Sequence, residues 1–144
     1  SNADTHADQI TKRVKQFCET HETCRFYSNL HPDAYHYIVK QSAALIGNSS
    51  CGIIEVPSLG SFTISIGDRQ TGRVKSSSIL DVRCTTEAIT HAILFAISHK
   101  DEQITDTPYY KEHSAELYYQ TTKNILHDEK PMYKKFFDIK PLNV

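Results

Sequence analysis

The chain has 144 residues, a formal net charge of −1, 39% apolar and 10% aromatic residues. These proportions exclude an intrinsically disordered chain, and the absence of an apolar run near about 18 residues excludes a membrane-spanning helix. With 16 Lys and Arg against 17 Asp and Glu, there is no global basic field to hold nucleic acid or a membrane surface, so an anionic ligand has to be caught by a local site.

Ser1-Asn2-Ala3 resembles an expression scar left by protease cleavage and is set aside from fold reasoning. Residues 4–7 hold neither a start methionine nor a first strand, which suggests a boundary inside a longer protein. In residues 8–20, Ile10, Val14, Phe17 and Cys18 recur at helical spacing, and the pattern predicts an amphipathic helix. Residues 24–27 form a short strand candidate. His31-Pro32-Asp33 then opens a second helix, with Pro32 in its first turn and Tyr35, Ile38 and Val39 on its buried side.

Residues 43–47 (AALIG) read as a strand buried in a parallel sheet. Residues 49–59 are expected to form a short helix closed by Gly60, and 62–66 (FTISI) the next strand. A loop over 67–77 leads to a strand at 79–82. Thr85 or Thr86 caps a helix that buries Ile89, Ala92, Ile93 and Ala96. A last long helix is expected from about Tyr109 to Leu126. Strands alternating with helices predict an α/β fold, a truncated Rossmann-like lobe with a mainly parallel sheet. The expected organisation is a scar at 1–3, an incomplete lobe at 4–127 and a tail at 128–144. Two strands are expected to be missing upstream of residue 4.

All five glycines fall between Gly47 and Gly72, and the chemistry gathers in the same stretch. GNSSCGIIE, residues 47–55, sits where a buried strand turns into a helix, at the carboxyl edge of the sheet. A helix N-terminus there suits a phosphate. Ser49 and Ser50 add hydroxyls, Gly52 permits close backbone approach, and Glu55 stands one turn on, where a carboxylate can accept both hydroxyls of a ribose. Ser50 as a plain N-cap and Glu55 as a solvated side chain explain the same residues more simply. GDRQTGR, residues 67–73, emerges at the same edge. Arg69 can fork onto phosphate oxygens, while Arg73 serves equally well in a solvated turn.

GNSSCGIIEVPSLG followed by IGDRQTGR resembles the UDP-N-acetylglucosamine 2-epimerase family, in particular its hydrolysing branch, which makes N-acetylmannosamine for sialic and related nonulosonic acids. The resemblance spans about residues 4–126. It implies the carboxyl-terminal lobe of a two-lobed GT-B-like fold. It also implies UDP contacts at Ser49 and Ser50 (diphosphate), Glu55 (ribose), Arg69 (phosphates) and the backbone around Leu30 (uracil). By resemblance, the reaction removes the sugar C2 proton and expels UDP from C1, and water then adds to the glycal. The carboxylates and histidine for proton transfer belong to the amino-terminal lobe, so no catalytic residue is expected here and these residues alone are expected to be inactive. Alternatives are a non-hydrolysing epimerase, which would keep UDP attached, a related branch that hydrolyses a diacetamido-sugar nucleotide for legionaminic acid, which the motifs do not distinguish, and a non-catalytic nucleotide-sugar binding module. Expected partners are UDP or a UDP-N-acetylhexosamine and the missing amino-terminal lobe, without cofactor, nucleic acid or membrane. A homo-oligomer stays open.

Other signals are weaker. Cys18, His21 and Cys24 offer three ligands without a second pair, so zinc is not expected. The four cysteines read as reduced thiols of a cytoplasmic protein. Cys51, beside Ser50, has no identifiable base, and His31 and His36 suggest surface or capping roles. In the tail, Tyr133, Phe136 and Phe137 among Lys130, Lys134 and Lys135 suggest a docking segment.

Overall fold

The structure, a computed structural model, describes residues 7–104 and 106–127; the tail expectation at 128–144 lies outside the described residues. The chain divides into two units, Ser1–Tyr110 and Lys111–Val144. In the first, the order is α1 (Ala7–Thr20), α2 (Pro32–Gln41), β1 (Ala44–Gly47), α3 (Cys51–Ile54), a 3₁₀ turn (Val56–Leu59), β2 (Phe62–Ile66), β3 (Ile79–Val82) and α4 (Thr86–Ser98). The second contains α5 (Ser114–His127).

The three strands form one parallel sheet in the order β1-β2-β3, with Ile46 opposite Ile64 and Ile64 opposite Leu80. β2 lies in the middle, and Phe62, Thr63, Ile64 and Ser65 are all buried. Successive side chains of a strand point to opposite faces, so Phe62 and Ile64 share one face and Thr63 and Ser65 the other. α4 covers the first face, Phe95 meeting the Phe62 ring edge-on at a 5.9 Å centroid separation. The buried Ala92 and Ala96 keep that helix close. α3 covers the second face, where Thr63 Oγ1 donates to the Gly52 carbonyl at 2.7 Å. The fold is therefore a Rossmann-like α/β lobe, and the apolar run FTISI is a strand covered on both sides.

Local chemistry sets the helix ends. The His31 ring nitrogen Nδ1 accepts from Asp33 N at 3.4 Å ahead of Pro32, and Thr85 Oγ1 accepts from Ala88 N at 3.3 Å. Ser61 Oγ donates to the Val39 carbonyl at 2.6 Å, satisfying one of the last acceptors of α2 inside the core.

Five expectations change. Ile38, expected on the buried side of α2, is exposed, and the 43–47 strand is not buried: Ile46 is exposed because β1 lies at the edge of the sheet. Residues 24–27 form no strand: an extended segment is a strand only beside a partner, and among the described residues β1 pairs with β2 alone. The helix expected over 49–59 is broken into α3 and the 3₁₀ turn, because Pro57 has no N–H for the Ile53 carbonyl and disfavours α geometry at Val56. Gly60 closes the second piece at φ 81, as expected of a C-terminal glycine. The last helix begins at Ser114, five residues later than expected, since His113 stands at φ 54, outside the right-handed helical region.

Candidate functional site

Because the sheet is parallel, the loops after β1, β2 and β3 all leave from its carboxyl edge. The first loop carries Asn48, Ser49 and Ser50. Ser49 is the local cap: its Oγ accepts from Cys51 N at 3.4 Å and from the Cys51 thiol at 3.1 Å. Ser50 has helical φ and ψ, and its hydroxyl makes no capping bond. So the capping role that could explain Ser50 belongs to Ser49. Ser49 Oγ acts only as an acceptor in these contacts, and among the described residues neither serine hydroxyl donates a hydrogen bond.

The electrostatics of this turn differ from the sequence expectation. The Gly52 N–H is bonded to the Ser49 carbonyl at 3.2 Å and the Ile53 N–H to the Ser50 carbonyl at 3.0 Å. With those donors taken and only four residues in α3, the helix offers little dipole and few open N–H groups. What this turn can offer an anion is therefore hydroxyls, with a cation in the next loop, rather than a helix end. Gly52 is also read differently. A Cβ there would lie 2.7 Å from Thr63 Cγ2 and 3.1 Å from Leu45 Cδ2. The glycine is required by close packing of α3 on the sheet, and its backbone groups are engaged within the protein.

The second loop is joined to the first. Thr71 N donates to the Asp68 carbonyl at 2.9 Å, closing a turn with Arg69 and Gln70 at its centre. Arg69 is exposed and Gln70 buried. Gln70 Nε2 donates to the Asn48 carbonyl at 2.8 Å, so the serine loop and the arginine loop are in direct contact. Beside them an open groove of about 680 Å³ is lined by Gly67, Asp68, Thr71, Arg73, Arg83 and Cys84 among others. Lys75 at its wall is bound to both carboxylate oxygens of Asp81, at 2.8 and 2.7 Å.

Glu55 ends α3 and faces α2. The His36 ring donates from Nε2 to Glu55 Oε2 at 3.0 Å, with both side chains 44% exposed. One residue earlier, the Tyr35 hydroxyl donates to Cys51 Sγ at 3.3 Å. Burial, and then the thiol acceptor, push the Tyr35 hydroxyl well above the ordinary tyrosine range. Leu30 is half-buried just ahead of the His31 cap, on the segment leading into the same helix. The structure thus brings Ser49, Ser50 and the Arg69 loop to one edge and sets Glu55 against α2. The sequence reading gave Tyr35 only a buried side chain and His36 only a surface or capping role, and it gave Gln70 no role of its own. For Tyr35 and His36 no local signal exists, because their partners are 16 and 19 residues away. For Gln70 the only hint was its position inside the arginine loop.

His21, singled out with Cys18 and Cys24, is stacked on Phe17 at 3.8 Å, with its Nδ1 2.8 Å from the Phe17 carbonyl oxygen. All four thiols are free. Among the described residues no helix is long and apolar enough to cross a membrane.

The family model described as UDP-N-acetylglucosamine 2-epimerase matches residues 3–123. The chain is 39% identical over 142 residues, 96% of its length, to the polysialic acid biosynthesis protein P7 of Escherichia coli, covering 36% of that protein. It is 35% identical over 82 residues to a GDP/UDP-N,N'-diacetylbacillosamine 2-epimerase (hydrolysing) of Campylobacter jejuni, covering 56% of this chain and 21% of the relative. It is 32% identical over 88 residues to a UDP-N,N'-diacetylbacillosamine 2-epimerase (hydrolysing) of Legionella pneumophila, covering 61% and 23%. The chain therefore spans about a third or less of the length of these relatives.

Proposed function

Because the chain belongs to the UDP-N-acetylglucosamine 2-epimerase family, we propose that it is the UDP-binding lobe of a hydrolysing enzyme of that family, the second lobe of a GT-B-like fold. The whole protein then converts UDP-N-acetylglucosamine and water into N-acetylmannosamine and UDP. The observation that carries the reading is the serine loop, beside the loop that bears Arg69, where among the described residues neither serine hydroxyl donates a hydrogen bond.

In this reading Ser49, Ser50 and Arg69 hold the diphosphate. Their role is electrostatic: as the C1–O bond breaks, charge grows on the leaving phosphate, and donors already placed there strengthen their hold. Glu55 accepts the ribose hydroxyls through the carboxylate that His36 orients, and the backbone around Leu30 meets the uracil edge. Gly52 contributes packing rather than contact. Proton transfer at C2 belongs to groups outside these 144 residues. The hydrolysing outcome is supported by the names of two relatives, and the N-acetylhexosamine substrate by the polysialic acid relative, which matches nearly the whole chain.

Calorimetric titration of UDP into the chain and into an Arg69→Ala/Glu55→Ala double variant tests the site, with binding expected for the first and lost in the second. Equal heats would overturn the assignment. Product analysis of the whole protein with UDP-N-acetylglucosamine tests the reaction. Free N-acetylmannosamine with UDP is expected, and UDP-N-acetylmannosamine would make it the non-hydrolysing enzyme.

A further inference from the structure

Gln70 is only 5% exposed, and the bond from its Nε2 to the Asn48 carbonyl spans 22 residues of sequence. Its Oε1 is buried without a hydrogen-bond partner among the described residues. A buried amide that leaves one end unsatisfied is worse for stability than an apolar side chain of the same size. The position therefore uses glutamine for the one bond it makes. That bond falls on a telling atom: the Asn48 carbonyl belongs to the same planar peptide unit as the Ser49 N–H, so holding the oxygen fixes the direction in which the chain enters Ser49 and Ser50. At the other end, Arg69 and Gln70 are the two central residues of the Asp68–Thr71 turn, one exposed and one buried. Anchoring Gln70 thus also sets the point from which Arg69 leaves the loop.

We propose that Gln70 is a positioning residue, a buried latch that holds the serine loop and the arginine loop at the spacing a nucleoside diphosphate requires. Gln70 touches no ligand; it acts through Ser49, Ser50 and Arg69. The role in ligand binding rests on the diphosphate site proposed above, whereas the latch itself does not.

Two variants and two measurements test it. Gln70→Met keeps the length of the side chain and removes the donor; Gln70→Glu keeps acceptors and sets a carboxylate against the Asn48 carbonyl. In hydrogen exchange on the 144-residue chain, both variants speed exchange over residues 48–55 by about tenfold and leave β2 unchanged. No change over 48–55, or a rise in β2 to match, overturns the latch, since the second result is ordinary loss of core stability. In titrations, Gln70→Met weakens UDP about fivefold to tenfold and leaves uridine, which has no phosphate, unchanged. Its effect is less than additive with Arg69→Ala, as expected of residues that act as a unit. Equal losses for UDP and uridine also overturn the positioning role. If the unsubstituted chain binds UDP no better than uridine, the diphosphate site fails, and the exchange measurement still decides the latch.

Discussion

His36 Nε2 and Glu55 Oε2 are 3.0 Å apart and join the middle of α2 to the end of α3. A half-exposed pair of this kind adds little to stability, about 0–1 kcal/mol, because water solvates both groups and salt screens them. Its consequence is directional: one carboxylate oxygen is engaged by the ring, which fixes the plane in which the other is offered.

Glu55→Ala is accordingly expected to leave the denaturation midpoint nearly unchanged while lowering UDP affinity by about tenfold to a hundredfold, the range for hydrogen bonds to a charged acceptor. The loss disappears when 2',3'-dideoxyuridine diphosphate is the titrant, because the ribose hydroxyls are gone. His36→Ala produces a smaller loss of the same kind. A full loss with the dideoxy ligand would place Glu55 elsewhere than at the sugar.

Gly52→Ala destabilises the fold by about 1–3 kcal/mol, the usual effect of overpacking. The new methyl would stand 2.7 Å from Thr63 Cγ2. Thr63→Ser in the same chain removes that methyl and keeps the hydroxyl that bonds the Gly52 carbonyl, so the double variant recovers part of the loss. Urea denaturation of the two single variants and the double variant measures this. Additive losses would mean that the clash lies with Leu45 instead.

The Asp106 carboxylate accepts from Ser77 N at 2.5 Å, Ser77 Oγ at 2.7 Å and Ser76 Oγ at 3.1 Å, and these bonds, led by Ser77, hold it below the usual carboxylate range. A depressed folded-state pKa contributes stability that is complete above the unfolded pKa, about 3.9, and is lost as pH falls through the lower folded value. Asp106→Asn is thus expected to lower stability at pH 7 and to converge with the unsubstituted chain as the pH drops below about 4. A constant difference from about pH 7 to about pH 2 would assign the effect to the changed shape and not to the charge.

Tyr35 has the opposite sign. Its raised folded-state pKa means that its contribution is complete below the unfolded value of about 10 and is lost as pH climbs from there toward the folded one. Alkaline denaturation should therefore steepen above about pH 10, and Tyr35→Phe should flatten that limb while removing the donor to Cys51 Sγ. An ultraviolet titration in which every tyrosine ionises together near the ordinary value would contradict it.

The elements with a strong local cause were legible in the sequence. The buried run FTISI, the Thr85 cap, Pro32 at the start of α2 and the left-handed Gly60 each depend on residues within a few positions, and each stands where the pattern puts it. The break at Pro57 was equally local and was missed because the apolar spacing of residues 49–59 outweighed a missing N–H. The strand expected at 24–27 was not a local matter, since an extended segment needs a neighbour that the alternation of its own residues cannot supply.

The same division holds for the candidate site. Residue type and spacing alone pointed to the stretch between Gly47 and Arg73, with two serines, a glutamate and an arginine, as the candidate site. Small hydroxyl residues at a strand-to-helix turn and a cation in the next loop are visible in one dimension. Only the tertiary structure decided how they are arranged. Which serine caps α3, why Gly52 cannot be larger, that His36 engages Glu55 and that Gln70 ties two loops together are all contacts that spacing in the chain does not reveal. The physical reason is range: propensity and capping preferences act over a turn of chain, whereas packing and buried hydrogen bonds are settled by whatever the fold brings alongside.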